Sequence, residues 1–144
     1  MPSANEAVVL DWFERVWNRK EAGAIADFLT DATIAHGMGP NGTDLIGRES
    51  FEQSHALFCD AFPDVHVTVG PLVADGDKVA AFLTCKGTHL GDALGVPATG
   101  QTVVFHAMTI SRIENGKVVE GWNVIDLLSV FRQIGATQVA ASLP

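Results

Sequence analysis

Thr102-Val103-Val104-Phe105-His106-Ala107-Met108-Thr109-Ile110-Ser111-Arg112-Ile113-Glu114-Asn115-Gly116-Lys117-Val118-Val119-Glu120-Gly121-Trp122-Asn123-Val124-Ile125-Asp126 is the stretch that decides the fold. It reads as two long strands, Thr102 to Ile113 and Val118 to Ile125, joined by the turn Glu114 to Lys117. β-Branched and aromatic residues fill both arms, and Asn-Gly is the pair that reverses a chain in a tight hairpin. The second arm places an indole, an amide and a carboxylate among apolar neighbours, at Trp122, Asn123 and Asp126. Polar groups on a strand buried on at least one face need partners, so function is sought here first.

Upstream, Val65 to Val69 alternates, and Asp75-Gly76-Asp77 turns the chain into a strand from Val79 to Cys85. Gly91 to Gly100, with Pro97, is a loop. The N-terminal third is helical. Ser3 and Glu6 form a capping box, and Val9, Trp12, Phe13, Val16 and Trp17 recur at helical spacing. A short helix is expected over Glu21 to Leu29, and a third from Arg48 to Ala61, stopped by Pro63. Asp31 to Gly47 between them is loop-like, with Thr33 to His36 as a candidate short strand. After the hairpin, Leu127 to Ile134 suggests one or two helical turns closed by Gly135, followed by a fraying tail from Ala136 to Pro144. Helices first and antiparallel strands after predict an α+β fold over residues 1–144, with no repeat and no linker.

A chain of 144 residues with 47% hydrophobic residues suffices for one real core. The net charge of −8 excludes a nucleic-acid binder, which needs clustered Lys and Arg, and equally an anionic membrane surface. No apolar run reaches the roughly 18 residues of a membrane span. The first residues lack the basic and apolar regions of a secretory signal, so a cytoplasmic location is expected. Cys59 and Cys85 read as two buried thiols, and five scattered His make no metal motif.

The ordered series Ala61-Phe62-Pro63-Asp64, Gly87-Thr88-His89-Leu90-Gly91, Gly95-Val96-Pro97-Ala98-Thr99-Gly100, Arg112 to Glu120, Trp122 to Asp126 and Arg132-Gln133-Ile134-Gly135 resembles the SnoaL-like polyketide cyclases of the nuclear transport factor 2-like superfamily. The resemblance spans almost the whole chain. It implies a cone-shaped barrel, a strongly curved and mainly antiparallel sheet wrapped around three N-terminal helices, with an apolar pocket at the open end. It implies a homodimer or homotetramer packed through the outer sheet surface. It also implies ring closure of an aromatic polyketide by intramolecular aldol condensation, without metal or organic cofactor, using one strand aspartate as acid/base. Counting back from Arg132-Gln133-Ile134-Gly135 without gaps, that position falls on Asn123, and a second family carboxylate falls on Asp126.

An amide cannot take a proton from carbon at neutral pH, but it can orient a carbonyl or stabilise an enolate. Asn123 is therefore either a hydrogen-bonding pocket group or an exposed residue of the outer surface. Asp126 is either a pocket carboxylate or the N-cap of the last helix. His36, before a Gly-rich loop near the expected pocket mouth, is a candidate proton carrier, with a solvent-exposed loop residue as the other reading. His106, Trp122 and Asp126 share a face if the Asn115-Gly116 turn carries a bulge, and that face is opposite Asn123 by parity, which would put His106 and Trp122 at a subunit interface. His89 reads as structural, and His55 and His66 as partly exposed. Candidate ligand contacts are Trp17, Ser54, Phe58 and Thr109, suited to a flat, apolar carbonyl compound. Two function classes stand beside each other: cofactor-independent acid/base catalysis by Asn123 with His36 or Asp126, and a non-catalytic small-molecule binder. A dehydratase, isomerase or epoxide hydrolase is a third reading, the last resting on Arg112 and Asp126.

Overall fold

The computed structural model describes residues 2–136. The expected fraying of Ala136 to Pro144 thus falls almost wholly outside the described residues. Helix α1 spans Ala4–Trp12 and runs on as a π-helical turn over Phe13–Asn18. Its capping box is formed: the Ser3 hydroxyl accepts from the Glu6 N–H at 3.2 Å. Val9, Phe13, Val16 and Trp17 are buried, as the apolar stripe requires. Helix α2 is shorter than expected, Ala24–Phe28, because Leu29 already belongs to strand β1, Leu29–His36. The candidate strand Thr33 to His36 thus begins four residues earlier than expected, and the expected loop is strand from Asp31 to His36. Thr30 and Thr33 explain the miss: their hydroxyls bond each other and nearby backbone N–H groups, a local pattern that reads as a turn. Strand β2 is Leu45–Ile46, and helix α3 is Arg48–Ala61, as the sequence indicates.

Strands β3 (His66–Asp75), β4 (Lys78–Thr88), β5 (Thr102–Glu114) and β6 (Lys117–Ile125) precede helix α4, Leu127–Gln133. The six strands form one curved sheet in the order β2-β1-β6-β5-β4-β3. All neighbours are antiparallel except β1 and β6, which are parallel. Asn115 (φ 51) and Gly116 (φ 76) make the β5–β6 turn with the positive φ pair that matches strand twist.

One irregularity decides what faces inward. Arg112 pairs with Glu120 but Ile113 pairs with Val118, so Val119 is an extra residue on β6. The bulge turns Val118, Gly121, Asn123 and Ile125 to the inner face and leaves Glu120, Trp122 and Val124 outside. The inner face packs on α1 and α3, where Phe62, Val79, Val103 and Val130 have no exposed surface. Beyond Ile125, β6 no longer covers β5. Gln133 of α4 completes that edge, donating to Val104 O at 2.8 Å and accepting from its N–H at 3.0 Å.

Among the described residues no helix is long and apolar enough to cross a membrane. Both cysteines are free, Cys85 buried and Cys59 half-buried, and burial pushes both thiols up, Cys85 to about 11.

Candidate active site

Between the helices and the inner face of the sheet lies a cavity of about 270 Å3, open on one side. The helices contribute Trp12, Trp17, Phe51 and Phe58 to its wall, and the sheet contributes Phe105, Ala107 and Ile125. Leu57 and Leu127 stand at the mouth, 55% and 41% exposed. All four expected ligand contacts, Trp17, Ser54, Phe58 and Thr109, line this space. Trp17 meets Phe58 and Phe51 edge-on, with centroids 5.8 and 6.4 Å apart.

Asn123 points into the cavity, so its pocket reading holds and the outer-surface reading falls. Its Nδ2 donates to His36 O at 2.9 Å, across the parallel β1–β6 pairing. That bond identifies which end of the amide is nitrogen and fixes its rotamer. Among the described residues, one N–H and the Oδ1 have no partner and remain free for a ligand. Gly37 (φ 81) permits the approach: a Cβ there would run into the Asn123 backbone oxygen.

The two titratable candidates do not join it. The ring of His36, on the outer face with Trp122, does not line the cavity. Its Nδ1 lies 3.0 Å from Asp44 Oδ1 and its Nε2 lies 2.6 Å from Glu120 Oε2. The ring stacks on Trp122 at 5.6 Å. Both ring nitrogens meet carboxylates, so the imidazolium, with two donors, is the form that satisfies them. Glu120 and Asp44 accordingly raise the His36 pKa, and His36 and Arg112 lower that of Glu120. Parity causes the displacement: Ala35 faces in, so His36 faces out.

Asp126 caps α4, its Oδ1 accepting from the Ser129 N–H at 3.1 Å, and its side chain is exposed. It is outside the cavity wall, so its pocket role is corrected to a structural one. Arg112 binds Glu120 and Glu114 on the outer face, not Asp126, which removes the support for an epoxide-hydrolase relay. His106 is also outer, 3.3 Å from Thr84 Oγ1 and tilted on Phe82. His89 is fully buried and accepts from the Thr99 N–H at 3.2 Å, a structural role. His66 is exposed. His55 is half-buried and donates to Val16 O at 2.9 Å, and burial lowers its pKa.

Among the described residues, no carboxylate, imidazole, ammonium or guanidinium lines the cavity. Its polar groups are the side chains of Thr33, Ser54, Thr109, Ser111 and Asn123, the Cys85 thiol and the indole N–H groups of Trp12 and Trp17. Thr33 is spent on Val118 O at 2.8 Å. Ser111 and Met38 were not foreseen as wall residues. For Ser111 the signal was the inward alternation Ala107-Thr109-Ser111. Such a surface can hold and polarise a carbonyl, but it offers no side chain that exchanges protons near neutral pH. Nor do the described residues hold a group of three or more His, Cys, Asp or Glu disposed around a metal ion.

Known proteins share this fold. The family model of the SnoaL-like polyketide cyclases matches residues 7–134. Aklanonic acid methyl ester cyclase DauD of Streptomyces sp. (strain C5) is 27% identical over 120 residues, 83% of this chain and 74% of that protein. A Jannaschia sp. CCS1 protein, provisionally described as a SnoaL-like polyketide cyclase, superposes with TM-score 0.82 at 26% identity, covering 93% of each chain. IdmH of Streptomyces antibioticus, provisionally described as a polyketide cyclase, does so with TM-score 0.80 at 27% identity, covering 91% of this chain and 98% of its own. The chain belongs to the SnoaL-like polyketide cyclase family.

Proposed function

We propose that this protein takes a neutral, apolar, multi-ring carbonyl compound into the cone and acts on it as a cyclase-type catalyst lacking a side-chain base. The observation that carries this is the free half of the Asn123 amide inside an otherwise apolar, uncharged cavity. An uncharged wall favours an ester or ketone over a free acid, because a buried carboxylate without a partner is costly. Asn123 donates to the carbonyl oxygen on which negative charge develops as a carbon–carbon bond forms. The α-carbon proton leaves to solvent base or to the compound's own oxygens, and the new alkoxide takes a proton from water; neither transfer uses His36 or Asp126. No cofactor enters this scheme.

Assay of ring closure on aklanonic acid methyl ester, the compound that names the relatives, tests it. The rate should climb with pH through the neutral range without an inflexion where carboxylates titrate. A carboxylate inflexion would show that a side-chain base serves the site.

The uncharged wall also favours a second reading, a binder that returns its ligand unaltered. Tight uptake with no turnover at any pH would select it.

The partner we propose is a second copy of this chain, seated on the outer sheet face. Val104, Met108, Ile110 and Val124 stand there 46, 55, 42 and 75% exposed, an apolar row that a symmetric contact would cover.

A further inference from the structure

The ring of His36 stands on the outer face, yet its backbone is bonded to the cavity wall. Its carbonyl oxygen accepts from Asn123 Nδ2 at 2.9 Å, and that bond sets the rotamer of the wall's amide. Gly37 follows, packed so close to the Asn123 backbone oxygen that a Cβ would collide with it. The end of β1 and this part of β6 therefore shift together.

The ring fixes that end. It is pinned between Asp44, at the far end of the 37–44 segment, and Glu120 of β6, and it stacks on Trp122. Arg112 of β5 holds Glu120 in turn, with Glu114 on its other side. Among the described residues these are the charged groups that meet the ring or its partners. Two carboxylates need two donors, and only the imidazolium has two. A neutral ring keeps one N–H. Glu120, at 2.6 Å and the less exposed of the pair, retains it. Asp44, at 3.0 Å, then faces a lone pair and lets go. The 37–44 segment is released at that end, and the His36 carbonyl loses its fixed position.

We infer that His36 is the positioning residue of Asn123: its protonated ring holds the carbonyl that orients the amide, so binding of a carbonyl ligand takes up a proton outside the cavity. This rests on the cavity being a site for apolar carbonyl compounds. By linkage, a ligand that needs the oriented amide favours the protonated ring. Its affinity falls as pH rises through the His36 folded-state pKa, which lies above 6.5. His55, packed on the wall's Trp17, does not supply this signal, because burial lowers its pKa and leaves it neutral there. The Cys85 thiol of the wall, pushed up to about 11, stays protonated.

The test is calorimetry of the full chain from about pH 6 to 9 with two probes. One is 1-tetralone, a two-ring ketone that does not titrate in this range, and the other is tetralin, which has no oxygen. Each pH is run in buffers of low and high ionisation enthalpy, so that the difference in heat counts protons. Wild type should take up about 0.4 proton per 1-tetralone at the maximum and lose about fivefold in affinity across the range, both readings of one coupling between sites. Tetralin should bind without proton uptake. In His36→Gln, and separately in Asn123→Ala, the uptake should vanish and the 1-tetralone affinity should become independent of pH. A clasp that only stabilises the fold would give no uptake in wild type, and that result overturns the inference whether or not either variant folds. So does equal uptake with tetralin, or uptake that persists in either variant. If 1-tetralone binds wild type at no pH, the cavity reading itself fails, and the role of His36 with it.

Discussion

Asn123 is held from two directions, by the backbone of His36 below its amide and by the strand pairing with Thr109 beside it. Its side chain is therefore pre-oriented before any ligand arrives, which is what polarising a carbonyl requires. Asp126, three residues on, spends its carboxylate on the helix that follows. Asp126→Ala should cost about 1 kcal/mol, the usual worth of an N-cap, in chemical denaturation, and leave ligand affinity unchanged. A loss of affinity at full stability would return Asp126 to the site. The contrast between these two residues was half legible in the sequence. The junction before Leu127 marked the cap, whereas the inward turn of Asn123 depended on a bulge, at Val119, that the Asn115-Gly116 turn allowed but did not require.

The segment from the end of β1 to β2 is clasped to β6 by His36, between Asp44 and Glu120. Arg112 of β5 faces the same Glu120 and also holds Glu114. The clasp has a defined pH window. The His36 pKa is raised above its ordinary 6.5, so its contribution is complete below that value and is lost as pH rises through the folded-state pKa. The Glu120 pKa is depressed below 4.5, so its contribution is present above that value and is lost as pH falls through the folded-state pKa. The clasp is thus complete between about pH 4.5 and 6.5 and loosens on either side. Protection of the 37–46 amides, their exchange rate set against the intrinsic rate at each pH, should be greatest in that window and fall above it. In His36→Gln the fall in protection between pH 6.5 and 8 should vanish; if it persists, another group controls the segment. Sequence reading placed His36 at the pocket because the Gly-rich loop after it was expected near the pocket mouth. As the last residue of a strand, His36 has its side taken by alternation, and that side is outside. The helices α1 and α3 and the β5–β6 hairpin were legible because each carries its own periodicity, cap or turn pair. The parallel pairing of β1 with β6 links residues more than eighty positions apart and left no such local mark.

At the scale of the whole molecule, one sheet separates two chemistries. Its inner face, with Thr109, Ser111 and Asn123, is uncharged and closed over by helices. Its outer face carries the His36 clasp beside an exposed apolar row. If that row meets a second copy of the chain, Met108→Asp should halve the mass seen in sedimentation, with melting temperature then independent of protein concentration. A wild-type monomer at micromolar concentration would refute the pairing. The family resemblance was legible from the ordered motifs, and so was the departure at Asn123; the emptiness of the cavity of acid/base groups was not, because it depends on which face His36 and Asp126 take. The most direct measurement of the central claim is single-turnover ring closure of aklanonic acid methyl ester by wild type and Asn123→Ala at matched ligand occupancy. An amide that stabilises the developing oxyanion predicts a loss of about 100-fold or more, the usual worth of such a donor. An unchanged rate in Asn123→Ala, with the ester still bound, would contradict it.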